Sequence, residues 1–196
     1  MIRTFIAIDL SPAIKSALDT LIKKLKSHGS LPVRWTAAQN IHITLKFLGD
    51  IDERRLPELK TRLISAVQGV QPFSLQVGKL GAFPNANRAR IIWVGCQLEP
   101  AGFLLQKSVE EATLEMGFPR EKRPFSPHLT IGRVNTTSSS QDLAALARLI
   151  RETPVEWLGT QPVAGIRVYR SDLLPGGSRY TPLYDISLGI TGQFMA

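Results

Sequence analysis

The chain opens on an almost unbroken apolar run, "RTFIAIDL", whose β-branched content predicts a strand buried on both faces. The period then changes. In "SPAIKSALDTLIKKLKSHG", Ile14, Leu18, Leu21, Ile22 and Leu25 form one stripe at helical spacing. Ser11 is placed to cap this helix, and Pro12 fills its first position at no hydrogen-bond cost. Lys23, Lys24 and Lys26 suit the negative end of the helix dipole, and Gly29 can close it. "NIHITLKFLG" predicts a second strand, ended by Gly49. A second helix is predicted over about Glu53 to Gln68, with Leu56, Leu59, Leu63 and Val67 inward. "FSLQVGKL" alternates at period two, and "GAFPNANRAR" has the Gly, Pro and Asn content of a loop.

From there the order repeats. "RIIWVGCQL" predicts a strand, "GFLLQKSVEEATLEMG" a helix, "HLTIGRV" a strand and "SSSQDLAALARLIRE" a helix. "AGIRVYRSDL" and "RYTPLYDISLGI" predict strands joined by the turn "LPGGS". A shift of 86 residues lays Ile6 on Ile92 and His42 on His128. Each half thus reads strand, helix, His-strand, helix, strand. The expectation is an α+β fold of two similar lobes in a single domain over residues 1–196, with no linker between them. Nothing in that layout requires a partner subunit, so a monomer is expected.

Composition changes the picture little until charge is considered. A 43% hydrophobic and 20% charged content is that of an ordinary globular chain. No apolar run approaches the roughly 20 residues of a membrane span, and no secretory signal is expected, since "MIRTFIAIDL" is too short, carries Asp9 and lacks a small-residue cleavage site. The one cysteine, Cys96, excludes an internal disulfide and fits a reducing cytoplasm; its apolar setting marks it as a buried hydrophobe. The net charge of +8 favours polyanions, with nucleic acid or a phosphorylated ligand the natural partner.

The chemistry lies in the histidines. Of three, two share the context His-x-Thr-x with apolar residues at x: His42-Ile-Thr44-Leu and His128-Leu-Thr130-Ile. Alternation puts each His on the same face as its Thr, while Ile43, Leu45, Leu129 and Ile131 point into a core. Two such imidazoles across a cleft suit acid–base work near neutral pH, one neutral and one protonated. Two Thr hydroxyls can donate to the non-bridging oxygens of a phosphate held between them. In-line displacement at phosphorus needs attacking and leaving atoms on opposite sides, a symmetry that paired lobes supply. The competing reading of each His is a satisfied core residue. His28, at the end of a lysine-rich helix, matches nothing and reads as solvated. No HExxH, His-x-His or carboxylate cluster accompanies either motif, so no metal is expected. No phosphate-binding GxxxxGK[ST] loop is present, so ATP is not implied. Asp50 and Asp52 read as caps of the following helix.

The paired motif resembles that of the two-histidine (2H) phosphoesterase superfamily, and most closely its RNA 2′,3′-cyclic phosphodiesterases, also known as 2′-5′ RNA ligases. "RTFIAIDL", "VRWTAAQNIHITLKFLGD", "LGAFPNANRARIIWVG", "FSPHLTIGR" and "SDLLPGGSRYTPL" look like that family in its order. The resemblance implies a bilobal fold of two antiparallel sheets flanked by helices, related by a pseudo-twofold, with the active cleft between them. It implies metal-free, cofactor-free opening of RNA 2′,3′-cyclic phosphate ends, or of cyclic nucleotides, to 2′-phosphomonoesters. His42 would be the general acid and His128 the general base, labels that swap if the ligand binds reversed. Thr44 and Thr130 would hold the phosphate. Five residues beyond each His stand Phe47 and Arg133, as candidates to stack on a base or bind phosphate. Lys46, Arg88 and Arg90 are candidates for backbone phosphates. Alternative readings are ATP-independent 2′-5′ ligation by the reverse reaction, and an RNA-binding module without chemistry.

Overall fold

Nine strands and four α-helices make up the computed structural model, in which residues 1–175 and 177–189 are described. The N-terminal run forms β1 (Ile2–Ile8), and the amphipathic stretch after it forms α1 (Pro12–Lys26), with the Ser11 hydroxyl accepting from the Ile14 amide at 3.3 Å. All five residues of the predicted stripe on α1 are buried. A short strand, β2 (Val33–Trp35), precedes β3 (Ile43–Ile51). The second helix starts later than its apolar spacing suggests. Residues Glu53–Arg55 form a 3-10 turn capped by Asp52, whose carboxylate accepts from the Arg54 amide, and α2 (Leu56–Val67) begins next to Pro57.

The chain continues through β4 (Phe73–Phe83), β5 (Ile91–Leu98), α3 (Pro100–Leu114), β6 (His128–Val134) and α4 (Ser140–Glu152), whose start carries a Ser139–Asp142 capping box. It ends in β7 (Gly159–Val163), β8 (Gly165–Leu174) and β9 (Gly177–Ser187). The "LPGGS" turn and the "RYTPLYDISLGI" strand were expected to include Gly176 and Ile190, which lie outside the described residues. No described helix is long and apolar enough to cross a membrane.

The strands pair antiparallel in two sheets, of order β3-β1-β8-β9 and β2-β6-β5-β4-β7. These sheets do not follow the halves of the sequence. β4, which closes the first half, lies beside β5 in the second sheet, and the C-terminal hairpin β8-β9 lies beside β1 in the first. The order of elements gives no hint of this exchange. It leaves β1 and β5, the opening strands of the two halves, in the middle of their sheets, each flanked by its half's His-strand and by a strand of the other half. α2 packs against α3, and α1 against β7. One apolar core joins both sheets, from Ile6, Ile43 and Val168 on one to Val94, Leu129 and Val77 on the other.

Candidate active site

A β-bulge in each His-strand sets which side chains share a face. On β3, Thr44 lies opposite Ala7 and Lys46 opposite Ile6, leaving Leu45 without a partner. On β6, Thr130 lies opposite Trp93 and Gly132 opposite Ile92, leaving Ile131 without one. The two extra residues are themselves 86 positions apart. An extra residue reverses the alternation beyond it, and directly opposed residues share a face. Phe47, opposite Phe5, therefore returns to the face of Thr44 and His42. Arg133, opposite Ile91, returns to the face of Thr130 and His128. An odd spacing of five from each His would otherwise put both residues on the far side.

The same reversal corrects the expectation for Lys46. Opposite the fully buried Ile6, it points into the core, where its ammonium donates to Glu110 at 3.0 Å and to the Pro119 carbonyl at 2.6 Å. It is unavailable to RNA. Arg88 and Arg90 are exposed on the loop after β4, and His28 is exposed with its Nδ1 against the Lys24 carbonyl.

Both motif histidines are held in one way. His42 Nδ1 lies 2.8 Å from the Asn40 carbonyl oxygen, and His128 Nδ1 lies 2.7 Å from that of Ser126, in each case two residues upstream. A carbonyl only accepts, so Nδ1 carries the proton in each ring and Nε2 is left for a ligand. Nε2 is a lone pair when the ring is neutral and an N–H donor when it is protonated. Aromatic rings fix the planes. Phe5 stacks on His42 at 4.6 Å with Tyr180 edge-on at 5.3 Å, and Phe83 meets His128 edge-on at 5.0 Å. The His-strands are tied together by a short path. The Thr36 amide donates to the Ile131 carbonyl at 2.9 Å, and six residues later the chain reaches His42.

Burial among these rings pushes the His42 imidazole below its ordinary pKa of 6.5, and Lys15 pushes the same way. The Nδ1 hydrogen bond and the Asp9 carboxylate oppose it. Asp9 belongs to a cluster that the sequence did not reveal, because its members are up to 158 residues apart. Its carboxylate accepts from Lys15 Nζ and from Arg167 Nη1, both at 2.8 Å, and Arg167 is also paired with Asp185. Burial raises the Asp9 carboxyl, but the Lys15 bond, the Leu10 amide and the two cations bring it below the usual carboxylate range. Gln161 of β7 locks the cluster across the sheets, donating to the Asp9 carbonyl at 3.0 Å and accepting from the Ser11 amide at 2.7 Å. In Asp9→Asn, His42 loses an upward influence while the Lys15 charge stays unopposed. Its titration midpoint, followed by imidazole proton NMR, is expected to fall further; an unchanged or raised midpoint would show that Asp9 does not act on the ring.

Around His128 a pocket of about 280 Å³ is lined by Phe83, Trp93, Trp157, Lys79 and Cys96. Desolvation lifts the Cys96 thiol to about 12, so it is an inert wall, as its apolar setting suggested. Arg133 is exposed, and Arg34 of β2 lies directly opposite it on the same face. Among the described residues neither is paired with a carboxylate. Two guanidinium groups side by side repel unless an anion joins them. Arg34 was not anticipated, because nothing in "PVRWT" shows that it pairs with β6. Among the described residues no group of three or more His, Cys, Asp or Glu side chains stands together as metal ligands.

Known proteins are similar to this chain in architecture and in sequence. The family described as "LigT like Phosphoesterase" matches residues 8–93 and 100–180. An RNA 2′,3′-cyclic phosphodiesterase of Methanothermobacter thermautotrophicus is 31% identical over 93% of this chain and 96% of its own length. One from Aeropyrum pernix is 34% identical over 85% of this chain and 93% of its own. The crystal structure of E. coli LigT complexed with 3′-AMP superposes with a TM-score of 0.75 at 26% identity, covering 95% of this chain and 98% of that one. With both sheets and nearly the whole length matched, the chain belongs to the LigT-like phosphoesterase family.

Proposed function

We propose that the protein hydrolyses RNA 2′,3′-cyclic phosphate ends to 2′-phosphomonoesters by metal-free catalysis between His42 and His128. The observation that carries this reading is the matched anchoring of the two rings, each with Nδ1 on a carbonyl and Nε2 free beside a threonine on the same face. His128 Nε2 takes a proton from water as the water oxygen bonds to phosphorus. The bond from phosphorus to O3′ breaks, and the proton on His42 Nε2 passes to O3′. The product carries a 3′-hydroxyl and a 2′-phosphate, and solvent restores the starting protonation of the two rings. Thr44 and Thr130 donate to the non-bridging oxygens, and Arg133, with Arg34 beside it, neutralises their charge. An arriving phosphate anion, helped by Asp9, favours the protonated His42 that the apolar surroundings disfavour.

The names of the relatives support the same substrate class. The test is product analysis on an oligoribonucleotide with a 2′,3′-cyclic end. A 2′-monoester is expected, at a rate that excess EDTA leaves unchanged. A 3′-monoester would reverse the polarity of attack, and loss of activity in EDTA would end the metal-free assignment.

A further inference from the structure

Beyond His42 the first His-strand borders a second concavity, which the reaction at phosphorus does not use. It has a volume of about 510 Å³ and is lined by Phe47, Leu48 and Gly49 of β3 and by the segment Phe118–Arg123 after α3. Phe47 is 54% exposed, although it sits within a strand. Ring centroids step 4.6 Å from His42 to the buried Phe5, then 5.9 Å from Phe5 to Phe47. Phe47 thus stands one ring away from the imidazole, beyond the reacting centre but continuous with it. The facing segment carries Arg120, Lys122 and Arg123 against a single acid, Glu121, and all four are exposed.

This basic segment is fastened to the strand that bears the histidine. The Lys46 ammonium holds the Pro119 carbonyl at 2.6 Å, and Glu110 both accepts from Lys46 and takes the Glu121 amide at 3.3 Å. Lys46 is adjacent to Phe47, so one buried ion pair fixes the distance between the aromatic face and the cations. An exposed aromatic ring opposite a row of cations is the arrangement that takes a single-stranded nucleic acid, with a base on the ring and phosphodiesters on the cations. Polarity agrees. If His42 protonates O3′, the ribose and the strand attached to it lie on the His42 side, and water enters from the His128 side.

We infer that the groove between Phe47 and the Phe118–Arg123 segment binds the RNA strand upstream of the cyclic phosphate, making oligoribonucleotides rather than free cyclic nucleotides the preferred substrate class. The inference rests on the proposed hydrolysis, with His42 on the leaving-group side. It is tested by comparing kcat/KM for a nucleoside 2′,3′-cyclic phosphate with that for a six-nucleotide RNA bearing the same end. The wild-type ratio is expected to favour the oligomer by about tenfold or more, the scale of one stacked base plus a few phosphate contacts. In Arg120→Ala/Lys122→Ala/Arg123→Ala that ratio should collapse toward one through KM. The salt dependence on the oligomer should flatten by a log–log slope of about 2, as expected for three lost contacts to a single strand. Phe47→Ala should lower the ratio, and Phe47→Trp should restore it. Equal wild-type kcat/KM for the two substrates, or a triple variant that keeps the wild-type ratio and salt slope, would overturn the groove while leaving hydrolysis standing. A wild-type protein that turns over neither substrate would instead remove the proposed function itself.

Discussion

His128→Ala is expected to lower kcat/KM on a cyclic-phosphate end by about 10²–10⁴-fold, and His42→Ala by a similar factor, with both variants folded. The two should separate on a nitrophenyl phosphodiester. A nitrophenolate departs without a proton, so His42→Ala should recover most of its loss there. His128→Ala should not, because water still needs its base. If the recovery appears in His128→Ala instead, the acid and base labels exchange. Full activity in either variant would refute acid–base catalysis by the pair. The pH profile gives an independent measure. A general acid must be protonated, so kcat/KM falls as pH rises through the free-enzyme pKa of His42. Burial places that pKa below 6.5, and the falling limb should therefore lie on the acid side of that value. It should be absent from His42→Ala.

The second large effect concerns stability. The Lys46 and Glu110 side chains are 1% and 8% exposed, and Glu110 Oε1 has no hydrogen-bond partner. In Lys46→Met the Glu110 carboxylate keeps its burial and loses its cation, at an expected cost of about 3–5 kcal/mol by urea unfolding. In Lys46→Met/Glu110→Leu the uncompensated charge is gone, and much of the stability should return. The double variant still lacks the Pro119 clamp, so its oligomer preference should stay low while its fold is restored. A single variant as stable as wild type would mean that the pair is not desolvated as the packing indicates.

How far the sequence could be read depends on the range of the interaction involved. The α1 stripe, the cap at Ser11 and the His-x-Thr-x pairs are local patterns, and each lies where its spacing implied. The bulges at Leu45 and Ile131 are not local in this sense. Both residues fit an unbroken alternation, and only the register against β1 and β5 shows that they are extra. For that reason Lys46 read as an outward cation, while the position of Phe47 and Arg133 five beyond each His was a resemblance without a geometric account. The Asp9–Lys15–Arg167 cluster and the Arg34–Arg133 pair join residues from distant strands, and no periodicity encodes them. The exchange of β4 and β8 between the sheets was hidden for the same reason: a strand's own residues show that it is half-buried, not which neighbour it takes.

That exchange has a kinetic side. β1 emerges well before β8 during synthesis, so one of its two edges must wait, with Thr4 facing Arg170 across 165 residues of intervening chain. Until then the nascent protein carries an apolar strand with one open flank, the kind of template on which other chains pair. Loops this long close slowly. The strand that gives His42 its stacked partner is thus also the stretch most exposed to misassembly before the β8-β9 hairpin arrives.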